Sequence, residues 1–325
     1  MFNFVPIYLL SFVVAFCICI PICRGIIPPL RRKASQPIYE GGPSWHSSKS
    51  GTPTLGGISF ILAILFSAVI TLAILFALGK VEISLSVILI IGYALLNSLV
   101  GLFDDLTKLV RKQNAGLTPI QKLILQGILA IAFLFIRHRL LGYDTAITVL
   151  DYSIDLGIIY YPAAVFFLLG IINCANLTDG VDGLASGVYS VMSLCMLIIS
   201  VYSFPDVGIV SALSSGGVLA FLFFNINPAK IFMGDTGSLF LGALAASIVF
   251  SFGNPFLSLL FCGVYVIEGF SVVIQVISYK VRKKRIFLMS PIHHHLEKIG
   301  WNESKICMCA ILLTVVLSVP AYLLI

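Results

Sequence analysis

The chain has 325 residues, of which 59% are hydrophobic and only 10% charged, and its mean hydropathy is +1.07. Soluble domains carry about 25% charged residues, so this composition excludes a water-soluble globular protein. A formal net charge of +6 then has to sit in loops between long apolar runs.

Taken in chain order, ten apolar segments are predicted to span a membrane, at roughly 4–24, 56–79, 82–103, 119–137, 157–175, 184–204, 207–226, 237–253, 256–279 and 305–325. The run from Gly56 to Leu78 alone has about the length of a hydrocarbon core. Backbone facing lipid must satisfy its own hydrogen bonds, so each span is expected to be a helix. Pro28, Pro29, Gly79, Pro119, Pro205, Pro228 and Pro255 are expected to bound spans. The first segment has no basic stretch before it, and Arg24, Arg31, Arg32 and Lys33 follow it, so it reads as a retained span and not a cleaved leader. The fourth loop, about 138–156, alternates apolar and polar residues in ITVLDYSIDLG and predicts a small external hairpin. The ninth carries the basic stretch KVRKKR, read as a lipid-headgroup contact, then a short interfacial helix around His293 to Lys298. The eight cysteines lie mostly inside apolar runs and read as small hydrophobes. With no internal repeat, residues 1–325 are expected to form one polytopic, all-α integral membrane domain.

Charge placement orients it. Of the 20 Lys and Arg residues, 17 fall in or beside the odd-numbered loops; only Lys80, Arg137 and Arg139 fall in even ones. The positive-inside rule then puts the odd loops in the cytoplasm and both termini outside.

The polar motifs follow the same asymmetry. They are KSGTPTLGG in the first loop, GLFDDLTK in the third, NCANLTDGVDGLASG in the fifth, FNINPAKIFMGDTGSLFLG in the seventh and SPIHHHLEKIGW in the ninth. Five clusters on one face predict an active site at the cytoplasmic surface. Asp104 and Asp105 are adjacent acids where a span meets water; such a pair repels and calls for a cation or a proton. Asp179 and Asp182 have the spacing of one helical turn, as do Asn173 and Asn176. Asp235 sits in MGDTGS, where it suits a helix cap or, with its glycines, close approach of phosphate oxygens. Several carboxylates and amides without a Cys/His set suit Mg²⁺ better than zinc. Lys49, Lys108 and Lys122 are candidates to hold pyrophosphate oxygens, and Phe232 could stack a base or simply pack. Glu268 lies inside the ninth span, where an acid needs a partner; the sequence names none.

In this order, GTPTLGG, GLFDD, NLTDGVDGL, FMGDTGSLFLG and PIHHHLEKIGW resemble the bacterial phospho-N-acetylmuramoyl-pentapeptide transferases, within the polyprenyl-phosphate N-acetylhexosamine-1-phosphate transferases, over residues about 49 to 305. The PIHHH…GW segment looks like the muramoyl-pentapeptide branch and not the N-acetylglucosamine branch. Departures are mild: Leu55, Val181 and Ser290 stand where Met, Leu and Ala are common. The resemblance implies transfer of phospho-N-acetylmuramoyl-pentapeptide from its UDP donor to undecaprenyl phosphate in the bacterial inner membrane. It implies Asp235 as Mg²⁺ ligand, Asp104 as base with Asp105 beside it, and His293 in a catalytic role. Substrate contacts would come from Lys49, Thr54, Lys108, Lys122, Asn173, Asn176, Asp179, Gly180, Asp182, Asn225, Phe232, Gln275, His294 and His295. Membrane lipid, a second copy in a homodimer and uridine-type nucleoside antibiotics are implied as partners, and no nucleic acid is expected. A nucleotide or lipid transporter is the reading from another class; it would place ionisable groups near mid-membrane and often show inverted repeats.

Overall fold

The structure, a computed structural model, describes residues 3–33, 51–111, 116–149 and 152–324. Lys49 lies outside them. The helices are α1 (Val5–Lys33), α2 (Gly57–Ala77), α3 (Val81–Arg111), α4 (Pro119–Leu141), α5 (Tyr160–Thr178), α6 (Leu184–Ser200), α7 (Pro205–Asn225), α8 (Gly234–Ser251), the four-residue α9 (Ser258–Phe261), α10 (Gly263–Arg282), α11 (Ile292–Lys298) and α12 (Glu303–Leu323). Among the described residues nine helices are long and apolar enough to cross a membrane, and α6 is a shorter apolar helix. The protein is thus an all-α, multi-pass membrane protein. Between α4 and α5, β1 (Ala146–Val149) and β2 (Tyr152–Asp155) pair antiparallel, Ala146 opposite Asp155 and Val149 opposite Tyr152, which is the hairpin the alternation predicts. Helix α11 likewise lies where a short helix is expected.

Three boundaries differ from the expectation. Helix α3 runs eight residues past the expected end, because Asp104 to Arg111 contains no breaker and keeps helix-forming Leu, Lys and Arg. The GLFDD acids therefore stand on a helix and not in a loop. Helix α1 continues through Pro28 and Pro29 to Lys33; proline costs a helical hydrogen bond but is tolerated in membrane helices. The ninth span starts with a short turn and α9 before α10 begins at Gly263.

Helix α8 is the centre of the bundle. Nearly all of it is buried, and α2, α3, α5, α6 and α7 contact it. Its composition explains this: Gly237, Gly242, Ala243, Ala245 and Ala246 present little bulk in any direction, so neighbouring backbones come close. Gly57 of α2 and Gly237 pack directly on each other, and a side chain at Gly101 of α3 would run into the Asp235 carbonyl. Around this centre α1 packs on α7 and α2, α4 on α3 and α5, α6 on α7 and α12, and α10 on α5 and α12.

One end of α8 is closed by Arg137, a buried cation at the end of α4. Its Nη2 donates to the Phe250 carbonyl at 2.5 Å, its Nη1 to the Tyr160 hydroxyl at 3.2 Å, and its guanidinium lies 3.6 Å over the Tyr143 ring. A cation at a helix C-terminus is favoured by the aligned peptide dipoles. We expect Arg137→Met to cost about 2 kcal/mol, read as a lower thermal midpoint in detergent micelles. An unchanged midpoint would show that the guanidinium does not hold α8.

Candidate active site

The other end of α8 carries the polar motifs. The N-cap position, Met233, offers no side-chain acceptor to the first amides of the helix. Asp105 supplies one from α3: it accepts from the Asp235 amide at 3.1 Å, the Thr236 amide at 2.9 Å and the Thr236 hydroxyl at 2.7 Å. A carboxylate at a helix N-terminus is favoured by the dipole and satisfies amides that have no partner within the helix. Gly234 makes this contact possible. Its φ of +72° suits glycine, and a Cβ there would press on Asp105 and on Thr54.

Beside this cap, two lysines bridge two carboxylates. The Lys108 ammonium lies 2.6 Å from Asp104 Oδ2 and 3.1 Å from Asp235 Oδ2; the Lys122 ammonium lies 3.0 and 2.6 Å from the same two atoms. Helical geometry sets up the first pair, since Asp104 and Lys108 are four apart on α3. Lys122 enters from the first turn of α4, which Thr118 and Gln121 cap reciprocally. Asp104 is fully buried, and its Oδ1 accepts from the Leu117 amide at 2.6 Å. Asp235 is the most open of the three acids, its side chain 17% exposed. Its Oδ1 accepts from Asn176 of α5 at 3.0 Å, and Asn176 also donates to Ser238 at 2.8 Å. One network thus joins α3, α4, α5 and α8.

Other expected site residues lie around it. Asn173 donates to Gln126 of α4 at 2.8 Å, one turn up α5 from Asn176. Thr54 is buried against Gly234, and the first-loop backbone pairs with the seventh: Phe232 N donates to Pro53 O, and Gly56 N to Phe232 O, each at 2.8 Å. Asp179 and Asp182 do not share a helical face, because α5 ends at Thr178 and residues 179–183 form a turn closed by left-handed Gly183. Asp182 accepts from Asn227 Nδ2 at 3.2 Å and from the Ala229 amide at 2.9 Å, which pins the seventh loop. Asn225 accepts from the Ser186 hydroxyl and donates to the Ile231 carbonyl, pinning it again. Gln275 accepts from the Ile286 and Phe287 amides and donates to the Phe287 carbonyl, folding the ninth loop onto α10. His293 is buried beside Gly180, with Glu268 on its other edge; His294 lies 2.6 Å from Glu297, and His295 Nδ1 accepts from the Leu288 amide. The network also recruits Thr236 and Ser238, and Gln126 pairs with Asn173 beside it; sequence reasoning did not assign these three. Their signal is the small polar residues just after Asp235 in MGDTGS, and a glutamine one turn after Lys122.

Oxygen atoms of Asp104, Asp105 and Asp235 all lie within 4.8 Å of one another. Among the described residues the cluster holds three hard oxygen donors and no thiol or imidazole, which fits a magnesium-like cation. Asp105 is occupied by α8, and both lysines bridge Asp104 and Asp235, but Asp235 keeps the more exposed edge. Asp235 is therefore the acid best able to meet an ion.

The glycosyl transferase family 4 model matches residues 87–253, which hold this network. The phospho-N-acetylmuramoyl-pentapeptide-transferase of Halalkalibacterium halodurans is 42% identical over 304 residues, 92% of each chain. That of Bacillus subtilis is 42% identical over 303 residues, again 92% of each. That of Clostridium perfringens is 38% identical over 320 residues, 98% of this chain and 96% of the relative. The chain belongs to the phospho-N-acetylmuramoyl-pentapeptide transferase family. In this member of the family, Asp105 acts on the fold and Asp104 on the lysines, although the two acids are adjacent: one helical position turns them toward different partners.

Asp105→Ala should cost about 2 kcal/mol, through the loss of charge-assisted bonds to buried amides. Hydrogen exchange at the Asp235 and Thr236 amides should speed up together with the fall in thermal midpoint; unchanged exchange would show that Asp105 does not cap α8.

Proposed function

We propose that the protein transfers phospho-N-acetylmuramoyl-pentapeptide from UDP-N-acetylmuramoyl-pentapeptide to undecaprenyl phosphate, giving lipid I and UMP, at the cytoplasmic face of the bacterial inner membrane with both termini outside. The observation that carries this reading is the pair of ammonium groups bridging Asp104 and Asp235. In phosphoryl transfer the protein's work is to position the reacting groups and neutralise spread negative charge, and two fixed lysines beside an open carboxylate do both.

An oxygen of the lipid phosphate attacks the sugar-linked phosphorus, and the bond to UMP breaks. One pyrophosphate linkage forms as another is lost. Lys108 and Lys122 hold the diphosphate oxygens. Asp104 takes the remaining proton of the lipid phosphate, a group already largely ionised near neutral pH. Asn176 orients Asp235, and Asp182 and Asn225 hold the seventh loop, which brings Phe232 to the uridine. Gln275 holds the ninth loop at the same end, and His293, His294 and His295 serve the phosphates and sugar. Mg²⁺, held by Asp235 with Asp104 and Asp105 near, would shield diphosphate charge. Membrane lipid surrounds the bundle, and a homodimer and binding of uridine-type nucleoside antibiotics belong to the same reading.

Purified protein with Mg²⁺ and undecaprenyl phosphate should release UMP from UDP-N-acetylmuramoyl-pentapeptide. Release only from UDP-N-acetylglucosamine would assign it the other sugar, and uptake of substrate without UMP would make it a transporter. Asp235→Asn should abolish Mg²⁺-dependent release in a folded protein. Asp104→Asn should lower kcat by at least about a hundredfold, the low end of the usual range for a general base, with nucleotide affinity kept. Near-normal turnover in either variant would remove that residue from its role.

A further inference from the structure

Glu268 is a buried acid in the second turn of α10, and the mechanism above does not use it. One of its oxygens, Oε2, takes two contacts from the start of α11: the His293 backbone amide at 3.3 Å and the His293 ring Nδ1 at 3.0 Å. A carboxylate only accepts, so the ring must carry a proton on Nδ1. The opposite nitrogen, Nε2, is buried and has no hydrogen-bond partner among the described residues. It is aimed at Gly180, where any Cβ would collide with it. Gly180 lies in the turn that follows Asn176, the residue holding Asp235. A buried, unpaired ring nitrogen calls for an explanation such as a ligand or a catalytic role.

We propose that Glu268 is a positioning residue for His293: it sets the ring so that Nε2–H donates to a phosphate oxygen of the nucleotide-linked donor substrate. This rests on the transferase reading above. Diphosphate oxygens are acceptors, as is the Glu268 carboxylate, so both ring nitrogens must donate and the imidazole carries both protons in the complex. The buried charge of Glu268 favours that form, as the acid of a catalytic triad favours its imidazolium. The carboxylates, cations and imidazoles on the elements around the ring are Glu268, Lys280 and Arg282 on α10, His294, His295, Glu297 and Lys298 on α11, Asp179 and Asp182 flanking Gly180, and at the start of α12 Lys305 and Glu303, which accepts from the Asp182 amide. Among the described residues Glu268 is the one that meets a ring nitrogen, so its charge acts at the shortest range and favours the same form. Gly180 is required as glycine because the ring occupies the space of a side chain.

The test compares the wild type, Glu268→Gln and His293→Asn for UMP release against pH, with folding followed by thermal midpoint. His293→Asn retains a group near Nδ1 and lacks Nε2. In Glu268→Gln the charge that favours the doubly protonated ring is gone, so kcat should fall at least tenfold at neutral pH and recover as the pH is lowered. The basic limb of the profile moves to lower pH, with KM for undecaprenyl phosphate unchanged. His293→Asn should stay folded, lose activity at every pH and make the further Glu268→Gln change silent. A Glu268→Gln profile lowered equally at all pH values, a His293→Asn enzyme with normal turnover, or additive effects in the double variant would each overturn the proposal. If the wild type itself releases no UMP, the underlying transferase reading fails instead, and the two failures are told apart.

Discussion

A helix buried on every side has to find partners for the polar groups at both its ends, and that constraint organises this protein. Helix α8 lies inside the bundle, where buried backbone groups need partners from the protein, and its first amides have no acceptor from their own N-cap residue. Asp105 reaches them from α3 and Arg137 closes the opposite end from α4. The signs match the helix dipole, anion at the N-terminus and cation at the C-terminus. Because α3 and α4 supply these caps, they are held where Lys108 and Lys122 meet Asp104 and Asp235. The architecture and the chemistry share a cause.

The same arrangement gives neighbouring acids different work. Asp104 and Asp105 follow each other on a helix, about 100° apart. One faces the ammonium groups and the other faces α8. Mutual repulsion, which adjacent carboxylates would otherwise suffer, is relieved on both sides, by two lysines and by two amides with a hydroxyl. Asp235 is left with an exposed edge, held in place by Asn176. Charge neutralisation near a hydrocarbon boundary is costly to arrange, and here helical offsets arrange it before any ligand arrives.

Much of this was legible in the sequence. Arginines and lysines crowd the odd-numbered loops and the helix ends beside them, and the five polar motifs lie in or beside those loops. The hairpin and the short helix at the histidines follow from alternation and polarity alone. Other features were not legible. The extent of α3 was hidden because acidic residues in a membrane protein suggest a loop, although helix propensity continues through them to Arg111. The spacing of Asp179 and Asp182 suggested one helical face, yet Gly180 and Gly183 turn the chain there and Asp182 pins the seventh loop instead.

The sequence by itself determined the order of the apolar helices and the length of most of them, because spanning hydrocarbon is a demand each segment meets alone, through length and composition; of the ten expected spans, α6 forms a shorter helix. It also determined which residues were available for chemistry and the family they resemble. Only the tertiary structure decided which acid caps a helix, which two share the lysines and which histidine faces Glu268. Those assignments join residues as far as 131 positions apart, and they depend on how helix faces are turned toward one another, which packing sets.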